Sequence, residues 1–303
     1  MNKKLSIIIL NYNGYNNTVT CLKSLRKSSS IFKIYILDNG SGDASFEKLQ
    51  KIVKQNEMVF HSKENLGFAG GNNYLATIAD QEDCDYLLLI NNDMTIEPNM
   101  VDKLMKATEK NANFGAVSPL IYYMDKKKIW YAGGQTDWFM SGTSFSQEKL
   151  PKNLHLQPTQ FCSGGCMLIE NSLYKKLGGF DKRFFAYNED SDFSERLKKA
   201  GKLLYFEPEA VVYHKVNATL GSRSPLQIYY HVRNKLLFLS KNGKWYHFPT
   251  VILFTLYKDF IWNIVGVLIK PKRGKWKRVV GAWFGLSDFI LGKFGQCKHK
   301  SIY

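Results

Sequence analysis

The sequence predicts an α/β fold in which a mostly parallel, twisted sheet carries helices on its faces. The first observation is an unbroken apolar run at Tyr86–Ile90, which is typical of a strand covered on both faces in the middle of a parallel sheet. The second is a regular alternation of strands and helices before it, and the third is a polar cluster at the end of each strand. With 303 residues, 45% of them hydrophobic, the chain can form one large core and an appended region.

Strands and helices alternate through the first third of the chain with short connections, as in a doubly wound sheet. Apolar residues at helical spacing lie between the strands, for example Val19, Leu22 and Leu25. No G-x-G-x-x-G motif follows the first strand, which favours a mononucleotide over a dinucleotide as ligand. The predicted strands are Leu5–Leu10, Ile34–Leu37, Met58–Phe60 and Tyr86–Ile90.

Two oxygen-bearing side chains, Asn91 and Asp93, follow the central strand. In open α/β sheets, ligands gather beyond the carboxyl ends of the strands, and residues two apart can present oxygens on the same side. Such a pair suits a hard cation that phosphate oxygens already hold, because magnesium-like ions take few protein carboxylates. The alternative is a simple turn, which Asn and Asp also favour.

Two further connections carry groups that a nucleotide could use. Asp38, after the second strand, can accept a hydrogen bond from a base imide or a ribose hydroxyl. The glycine-rich stretch Asn65–Asn73 opens a helix, where glycines allow close backbone approach and amide groups favour phosphate.

A second dense polar cluster contains Glu189 and Asp190, at the predicted start of a helix that Gly201 ends. Acidic residues there could simply complement the helix dipole. The aromatic residues of 184–187 would instead form low-dielectric walls, which raise a carboxyl pKa toward that of a useful general base. The helix start lowers the same pKa, so the sequence leaves the direction of the shift open.

The five cysteines are scattered, and no second Cys or His pair lies at zinc-finger spacing from Cys162 and Cys166. Only four residues precede the first strand, which leaves no room for a signal peptide. We therefore expect free thiols and a cytoplasmic protein. The middle segment Lys126–Gln160 has no clear period, and we expect loops and short strands there that could cover a ligand.

Together these residues resemble the inverting glycosyltransferases of family 2, which have the GT-A (nucleotide-diphospho-sugar transferase) fold, and in particular the bacterial rhamnosyltransferase-like branch. The resemblance covers residues 5 to about 240, in the family's order and spacing. Its motifs are Ile8–Asn13, Asp38–Asp43, Asn65–Asn73, Asn91–Asp93, Cys162–Cys166, Glu189–Asp190 and Tyr230–Lys235.

The resemblance implies a role for individual positions. Asp190, with Glu189 beside it, would be the catalytic base, and Asp93, Asn91 and His214 would hold Mg²⁺ or Mn²⁺. Asn91 stands where the family usually has the first Asp of an Asp-x-Asp motif. The donor-binding residues would be Asn11, Asp38, Asn65, Gly67, Gly71, Asn72, Asn92 and Arg233.

The implied reaction moves rhamnose or another hexose from a dTDP- or UDP-sugar to a saccharide or lipid-linked saccharide, in the synthesis of a cell-surface polysaccharide. The departing diphosphate needs a cation and helix-start amides, and a carboxylate must take the proton of the attacking hydroxyl. Two alternatives stay open. A nucleotidyltransferase would need a basic glycine loop after the first strand, and a non-catalytic binding or scaffold subunit would not need the intact Glu189–Asp190 pair.

Residues 241–303 are expected to form a helical, membrane-associating region after a catalytic domain at residues 1–240. Two apolar runs within Phe248–Ile269 are split by Lys258 and Asp259, which favours an interfacial helical hairpin over a spanning helix. The alternative is a helical subdomain that packs on the catalytic domain or on a second subunit of a homodimer.

Basic residues dominate the charge, with 42 Lys and Arg against 26 Asp and Glu and a formal net charge of +16. Nine of these basic residues lie between Lys270 and Lys300, against one acid, Asp288. No recognised nucleic-acid-binding module accompanies them, so an anionic membrane on its cytoplasmic face is the expected partner and nucleic acid is not.

Overall fold

The computed structural model describes residues 3–138, 144–145, 154–216, 224–269 and 275–302. The strands are β1 (Leu5–Asn11), β2 (Lys33–Asn39), β3 (Glu57–Ser62), β4 (Tyr86–Asn91), β5 (Met94–Ile96), β6 (Phe114–Tyr123), β7 (Ile129–Tyr131), β8 (Gly134–Gln135), β9 (Ser144–Phe145), β10 (Gln157–Thr159), β11 (Cys166–Glu170) and β12 (Leu203–His214). The helices are α1 (Tyr15–Leu25), α2 (Ser45–Gln50), α3 (Gly67–Gln81), α4 (Met100–Ala107), α5 (Asn171–Lys176), α6 (Glu189–Lys199), α7 (Pro225–Asn242), α8 (Phe248–Thr255), α9 (Trp262–Ile269) and α10 (Lys275–Ile290).

One large sheet organises the chain, in the order β10-β12-β6-β11-β4-β1-β2-β3. The strands β4, β1, β2 and β3 pair in parallel and form the doubly wound half that the alternation of strands and helices predicts. In the other half, β11 is antiparallel to both β4 and β6. The predicted α/β fold is confirmed, with a mixed half added to the parallel one.

The central strand β4 differs from its prediction in one respect. Leu87–Ile90 are buried, as the apolar run indicates, but β4 is parallel only to β1, because its other neighbour β11 runs antiparallel. An apolar run reports burial on both faces and not the direction of the neighbouring strands. β4 therefore lies at the boundary between the two halves of the sheet.

Apolar side chains pack on both faces of the sheet. Because side chains alternate along a strand, Ile7 and Ile9 of β1 face one layer while Ile8 faces the other. The first layer includes residues of α1 and α4, and the second includes residues of α3 and α6. This double covering explains why the strands show no polar alternation.

The helix α10 packs along α7 at close range. A Cβ at Gly281 would lie 2.4 Å from the carbonyl oxygen of Pro225, and one at Gly285 would lie 2.6 Å from that of Tyr229. Two glycines four residues apart thus allow the two backbones to touch. The rest of the contact is an apolar cluster that includes Ile228, Val232, Leu236 and Ala282.

The expected boundary between residues 240 and 241 falls inside α7, which runs to Asn242. Beyond it, α8, a π-helical turn (Leu256–Ile261) and α9 follow one another without a break in helical structure at Lys258 and Asp259, so the structure has no hairpin turn at that position. Asp259 instead pairs with Lys235 of α7 at 3.4 Å. By length and composition alone, the helical segment Trp245–Val265 could cross a membrane.

Two regions of interest in the sequence fall partly outside the described residues. In the middle segment, short strands occur as expected, but residues 139–143 and 146–153 lie outside. In the basic cluster, residues 270–274 lie outside, with Lys270, Lys272 and Arg273 among them.

Candidate active site

The ends of β4 and β12 bring Asp93 and His214 together. β5 follows the turn after β4 and pairs antiparallel with β12, so that Met94 lies opposite His214. The N–H of Lys215 donates to the carbonyl oxygen of Asp93 at 3.0 Å. As a result His214 Nε2 lies 3.2 Å from Asp93 Oδ1, and both side chains are at most 10% exposed.

The chemistry of Asp93 and His214 fits a divalent cation. Asp93 Oδ1 and His214 Nδ1 are buried, and apart from the 3.2 Å contact between Asp93 Oδ1 and His214 Nε2 neither atom has a hydrogen-bond partner among the described residues. Such atoms cost free energy unless an ion or a ligand satisfies them. The described part of the chain holds no group of three or more His, Cys, Asp or Glu placed to bind a metal, so diphosphate oxygens and waters would complete the ligand set.

Gly164 and Gly165 connect the end of β4, which leads to Asp93, with Asp190. The carbonyl oxygen of Gly165 accepts a hydrogen bond from the Asn91 N–H at 2.9 Å, and the Gly164 N–H donates to Asp190 Oδ2 at 3.0 Å. A Cβ at Gly164 would lie 3.0 Å from Asp190 Cβ, and one at Gly165 would lie 2.8 Å from Met94 Cε. Two adjacent small residues therefore hold the carboxylate beside the end of β4 at Asn91.

Glu189 and Asp190 are the first two residues of α6. Glu189 is 5% exposed, and its Oε2 has no hydrogen-bond partner within the described ranges. Burial first, and then the negative charge of Asp190, raise the pKa of Glu189 well above its ordinary value.

The pKa of Asp190 is also raised, although part of the side chain's surface remains exposed. Burial raises the pKa of Asp190, and hydrogen bonds from the N–H groups of Gly164 and Ser191 oppose the rise. For both carboxyl groups the effect of burial on the pKa is larger than that of the backbone hydrogen bonds that oppose it, so both pKa values are raised, which answers the question that the sequence left open.

A hydrogen-bonded network surrounds Asp38 at the ends of β1 and β2. Asn11, opposite Asp38 in the parallel register, donates from Nδ2 to Asp38 Oδ1 at 2.8 Å. Ser41 Oγ donates to the same oxygen at 2.5 Å, and His61 Nδ1 lies 3.1 Å from Asp38 Oδ2. Since Asn11 and Asp38 are buried while the side chain of His61 is 39% exposed, Asn11 orients the carboxylate and His61 forms its open edge.

Asn92 extends this network toward Asp93. Its Nδ2 donates to Thr18 Oγ1 at 2.9 Å, and Thr18 Oγ1 donates to Asn11 Oδ1 at 2.8 Å. A Cβ at Gly14 would lie 2.7 Å from Asn92 Nδ2, so the turn after β1 approaches this amide closely. Asn92 thus ties the end of β4 to the end of β1.

The Asn11–Asp38 network, the Asp93–His214 pair and Asp190 therefore lie near one edge of the sheet, beyond the carboxyl ends of β1, β2, β4 and β12. The sequence profile described as "Glycosyl transferase family 2" matches residues 6–178, more than half of the chain. The chain belongs to glycosyl transferase family 2. It is a glycosyltransferase that uses a nucleotide-sugar donor, and the predicted family and activity class are confirmed.

Three similar proteins are also named glycosyltransferases. The N-acetylglucosaminyl-diphospho-decaprenol L-rhamnosyltransferase of Mycobacterium tuberculosis is 27% identical over 244 residues, which are 71% of this chain and 77% of that protein. The low-salt glycan biosynthesis hexosyltransferase Agl10 of Haloferax volcanii is 25% identical over 302 residues, or 96% and 92% of the two chains. Rhamnosyltransferase WbbL of Escherichia coli K12 is 24% identical over 252 residues, or 78% and 92%.

Solved structures share the GT-A fold of this glycosyltransferase. GalNAc-T7 with UDP, GalNAc and Mn²⁺ aligns with a TM-score of 0.63 at 16% identity, over 95% of this chain and 57% of that one. Mannosyltransferase PcManGT from Pyrobaculum calidifontis, with GDP-Man and Mn²⁺, aligns with a TM-score of 0.58 at 12% identity, over 95% and 87%. The TarS 1-349 structure from S. aureus gives 0.58 at 15%, over 95% and 80%. The predicted GT-A fold is confirmed.

The glycines of Asn65–Asn73 make contacts within the protein. Gly67 has φ +73°, and a Cβ there would lie 2.5 Å from the carbonyl oxygen of Phe185. A Cβ at Gly71 would lie 2.9 Å from Leu10 Cδ2. The close approach that the sequence assigns to a ligand is thus an approach of α3 to β1 and to the loop before Glu189.

The side chains of Asn65 and Asn72 likewise form hydrogen bonds with backbone groups at the start of α3. Asn65 Oδ1 accepts a hydrogen bond from the Gly67 N–H at 2.8 Å, and Asn72 Nδ2 donates to the Phe68 carbonyl oxygen at 2.9 Å. Asn72 is 2% exposed. In this structure both asparagines stabilise the helix start, and a donor contact from them stays a prediction.

Arg233 does not have the surroundings expected of a phosphate ligand. It is fully buried, and its guanidinium donates to the carbonyl oxygens of Arg183 at 3.2 Å, Phe184 at 3.0 Å and Gly295 at 2.7 Å. The N–H groups of its guanidinium are therefore already bonded to carbonyl oxygens inside the protein. The predicted phosphate contact is therefore replaced by a role in holding the loop before Glu189.

Thr18, Ser41 and His61 also belong to the network around Asp38 and were not among the predicted site residues. For His61 a signal was available, since it follows the apolar residues of β3 and lies opposite Asp38 in the parallel register of β2 and β3. Thr18 and Ser41 act through single hydroxyl groups in a helix and a turn, where Thr and Ser have no distinctive spacing.

Proposed function

We propose that this protein is an inverting, metal-dependent glycosyltransferase that moves rhamnose or another hexose from a dTDP- or UDP-sugar to a saccharide or lipid-linked saccharide. It would act at the cytoplasmic face of the cell membrane, in the synthesis of a cell-surface polysaccharide. The rhamnosyl and hexosyl donors follow the names of the relatives, and the lipid-linked acceptor follows the name of the M. tuberculosis relative.

The observation that carries the proposal is the placement of Asp190 beside the Asn91–Asp93 turn, through Gly164 and Gly165. Direct displacement needs a carboxylate near the acceptor hydroxyl and positive charge near the leaving diphosphate. Asp190 would take the hydroxyl proton while the hydroxyl oxygen attacks the anomeric carbon from the face opposite the diphosphate. That direction of attack inverts the anomeric centre. A raised pKa makes Asp190 a stronger base.

The other groups would bind the donor. Asp93 and His214 would hold Mg²⁺ or Mn²⁺, and Asn91 would join them at the first position of the family's Asp-x-Asp motif. When bound, the cation would offset the negative charge that develops on the leaving diphosphate. Asp38, oriented by Asn11, would bind the nucleoside.

An exposed apolar surface on α8 and α9 supports the membrane part of the proposal. Leu253, Trp262 and Leu268 are 66%, 58% and 74% exposed. A helix with such a surface, followed by a basic cluster at residues 270–278, fits the interface of an anionic bilayer. A lipid-linked acceptor would lie at the same interface.

A donor panel tests the proposed function. dTDP-rhamnose, UDP-glucose, UDP-galactose and UDP-N-acetylglucosamine are each incubated with polyprenyl-diphosphate-linked saccharide, in Mn²⁺ and in EDTA. We expect one donor to give a product whose anomeric configuration, read by NMR, is opposite to that of the donor, and no product in EDTA. Retained configuration would contradict inversion, and turnover in EDTA would remove the metal from the mechanism.

Asp190→Asn in the same assay tests the base. It should lower kcat by about 10²–10⁴-fold, because proton transfer is lost. Binding of the donor in Mn²⁺, measured by calorimetry, should be unchanged, and a collapse of donor affinity would instead make Asp190 a donor-site residue.

A further inference from the structure

The loop that leads into Glu189 and Asp190 has an unusual backbone. Phe185, Tyr187 and Asn188 have φ angles of +64°, +69° and +69°. Residues that carry a Cβ adopt this left-handed region at a cost in free energy. A loop with three such residues persists only where neighbouring groups hold it.

Asn234, on α7, is the group that holds this loop most directly. Its Nδ2 lies 2.9 Å from the carbonyl oxygen of Phe184, 2.6 Å from that of Ala186 and 2.8 Å from that of Tyr187, so its two N–H groups donate to three oxygens and one of the N–H groups is shared. Its Oδ1 accepts a hydrogen bond from Arg233 Nε at 3.0 Å, which fixes the orientation of the amide. The side chain is fully buried.

Other residues of α7 contact the same loop with their rings. The ring of Tyr230 stacks on that of Phe185 at 5.5 Å, and the ring of His231 lies 4.5 Å from that of Tyr187. The loop is therefore held along its length by one helix. Its last residue, Asn188, is followed at once by the two carboxyl residues.

We propose that Asn234 is a positioning residue for the catalytic base, holding loop 184–188 in the conformation that directs Asp190 to the Gly164 N–H. The inference rests on the proposed function, because it requires Asp190 to be the base. Loss of the amide would let the left-handed residues relax and would move the start of α6 away from Gly164. The base would then lie at a wrong distance from the acceptor hydroxyl.

The test compares Asn234→Ala with a matched control, Asn171→Ala. Asn171 is also buried, and its Nδ2 donates to Asp80 Oδ1 and to the Cys84 carbonyl oxygen, both at 3.0 Å, just before β4 begins. That contact lies at the opposite end of β4 from Asn91. Both variants should lose stability, but only Asn234→Ala should lose kcat, on the order of 100-fold as for a misplaced group. Binding of UDP and of dTDP in Mn²⁺, by calorimetry, should be unchanged in both.

A double-mutant cycle with Asp190→Asn separates positioning from a general structural effect. If Asn234 acts through the base, Asn234→Ala should lower kcat by less than about threefold once Asp190→Asn is present. Equal losses in both backgrounds, or equal kcat losses for Asn234→Ala and Asn171→Ala, would overturn the inference. If Asp190→Asn alone leaves kcat unchanged, the proposed function fails instead.

Asn234→Ser covers the case in which the alanine variant does not fold. Serine keeps one donor at this position, so a folded Asn234→Ser protein with reduced kcat and normal UDP binding would support the inference. Loss of folding in both variants would overturn it, since Asn234 would then be required for the fold itself.

Discussion

Glu189 is a buried carboxyl group beside a second one, and this affects stability as well as chemistry. Its ordinary pKa is 4.5, and burial raises the folded-state value well above that. Between the two values the folded protein binds more protons than the unfolded chain does. The free energy of unfolding therefore falls as the pH rises from about 4.5 toward the folded-state pKa.

Glu189→Gln should consequently stabilise the protein at pH 8 and change its stability much less at pH 4, where Glu189 is protonated in both states. The expected gain in the free energy of unfolding is about 1.4 kcal/mol for each unit by which folding raises the pKa. Only the part of the rise that lies below the pH of the measurement counts. Urea denaturation at pH 4, 6 and 8 measures it.

Glu195→Gln, in the same helix, is the control for this prediction. Glu195 is also buried but pairs with Lys198 at 2.6 Å, so its neutralisation should not stabilise the protein. A Glu189→Gln variant less stable than the parent at pH 8 would show that the ionised side chain is satisfied in the folded state.

Residues at strand ends were the predictable part of the site. Asp38 lies at the end of β2 and Asp93 follows β4, and the carboxyl ends of parallel strands meet at one edge, so their placement follows from local pattern. Arg233 shows the limit of that reasoning. Its charge suggests an anionic ligand, whereas its partners are carbonyl oxygens 49 to 62 residues away in the sequence, and no local spacing reveals them.

Among the elements, α7 and α10 depend on each other through two glycines. Gly285→Val would place side-chain atoms against the carbonyl oxygen of Tyr229, which belongs to a helix backbone and cannot rotate away. We expect the free energy of unfolding to fall by about 1–3 kcal/mol, as for overpacked cores. Thermal and urea denaturation measure it.

Gly42→Val is the matched control, because a Cβ at Gly42 meets nothing within 4 Å and the residue lies in a loop. Its effect should stay within about 0.5 kcal/mol, as for most surface substitutions. Equal destabilisation by the two variants would mean that α10 does not pack on α7 in solution.

The tail shows why some element boundaries could not be predicted. The charges of Lys258 and Asp259 within an apolar run indicate a break, since unpaired charges there are costly. In the structure Lys235 neutralises Asp259 from another helix, and Lys258 Nζ lies 5.3 Å from the ring centroid of Phe254. The helix therefore continues, because of a partner 24 residues away.

For the whole molecule, membrane binding should depend on the exposed side chains of α8 and α9. Replacing Leu253, Trp262 and Leu268 with Ser should release the protein from phosphatidylglycerol vesicles at high salt. Basic residues contribute about 1 kcal/mol each near an anionic surface, but salt screens that attraction, whereas the apolar contribution persists. The Debye length is about 10 Å at 0.1 M NaCl and about half of that at 0.5 M NaCl. Co-sedimentation at these two concentrations therefore separates the two contributions.

The control replaces three apolar residues exposed elsewhere, Ile31, Leu154 and Leu203, with Ser. It should bind vesicles like the parent protein. If the α8 and α9 variant still binds at high salt, the membrane role is wrong. If neither the parent protein nor the variants bind vesicles, but the α8 and α9 variant is a monomer where the parent is a dimer, the surface packs on a second copy of the chain.

The contacts of residues near position 295 bear on the order in which parts of the chain fold. The carbonyl oxygen of Gly295 accepts from Arg233, and the N–H of Cys297 donates to Tyr230, both on the helix that holds the loop before Asp190. A chain folds from its N-terminal end while it is being synthesised. We therefore expect the parallel half of the sheet to form on the ribosome before the loop that precedes Asp190 is held in place. Sugar transfer would then begin only after residues 295–302 have emerged, so that an incomplete nascent chain would not consume donor.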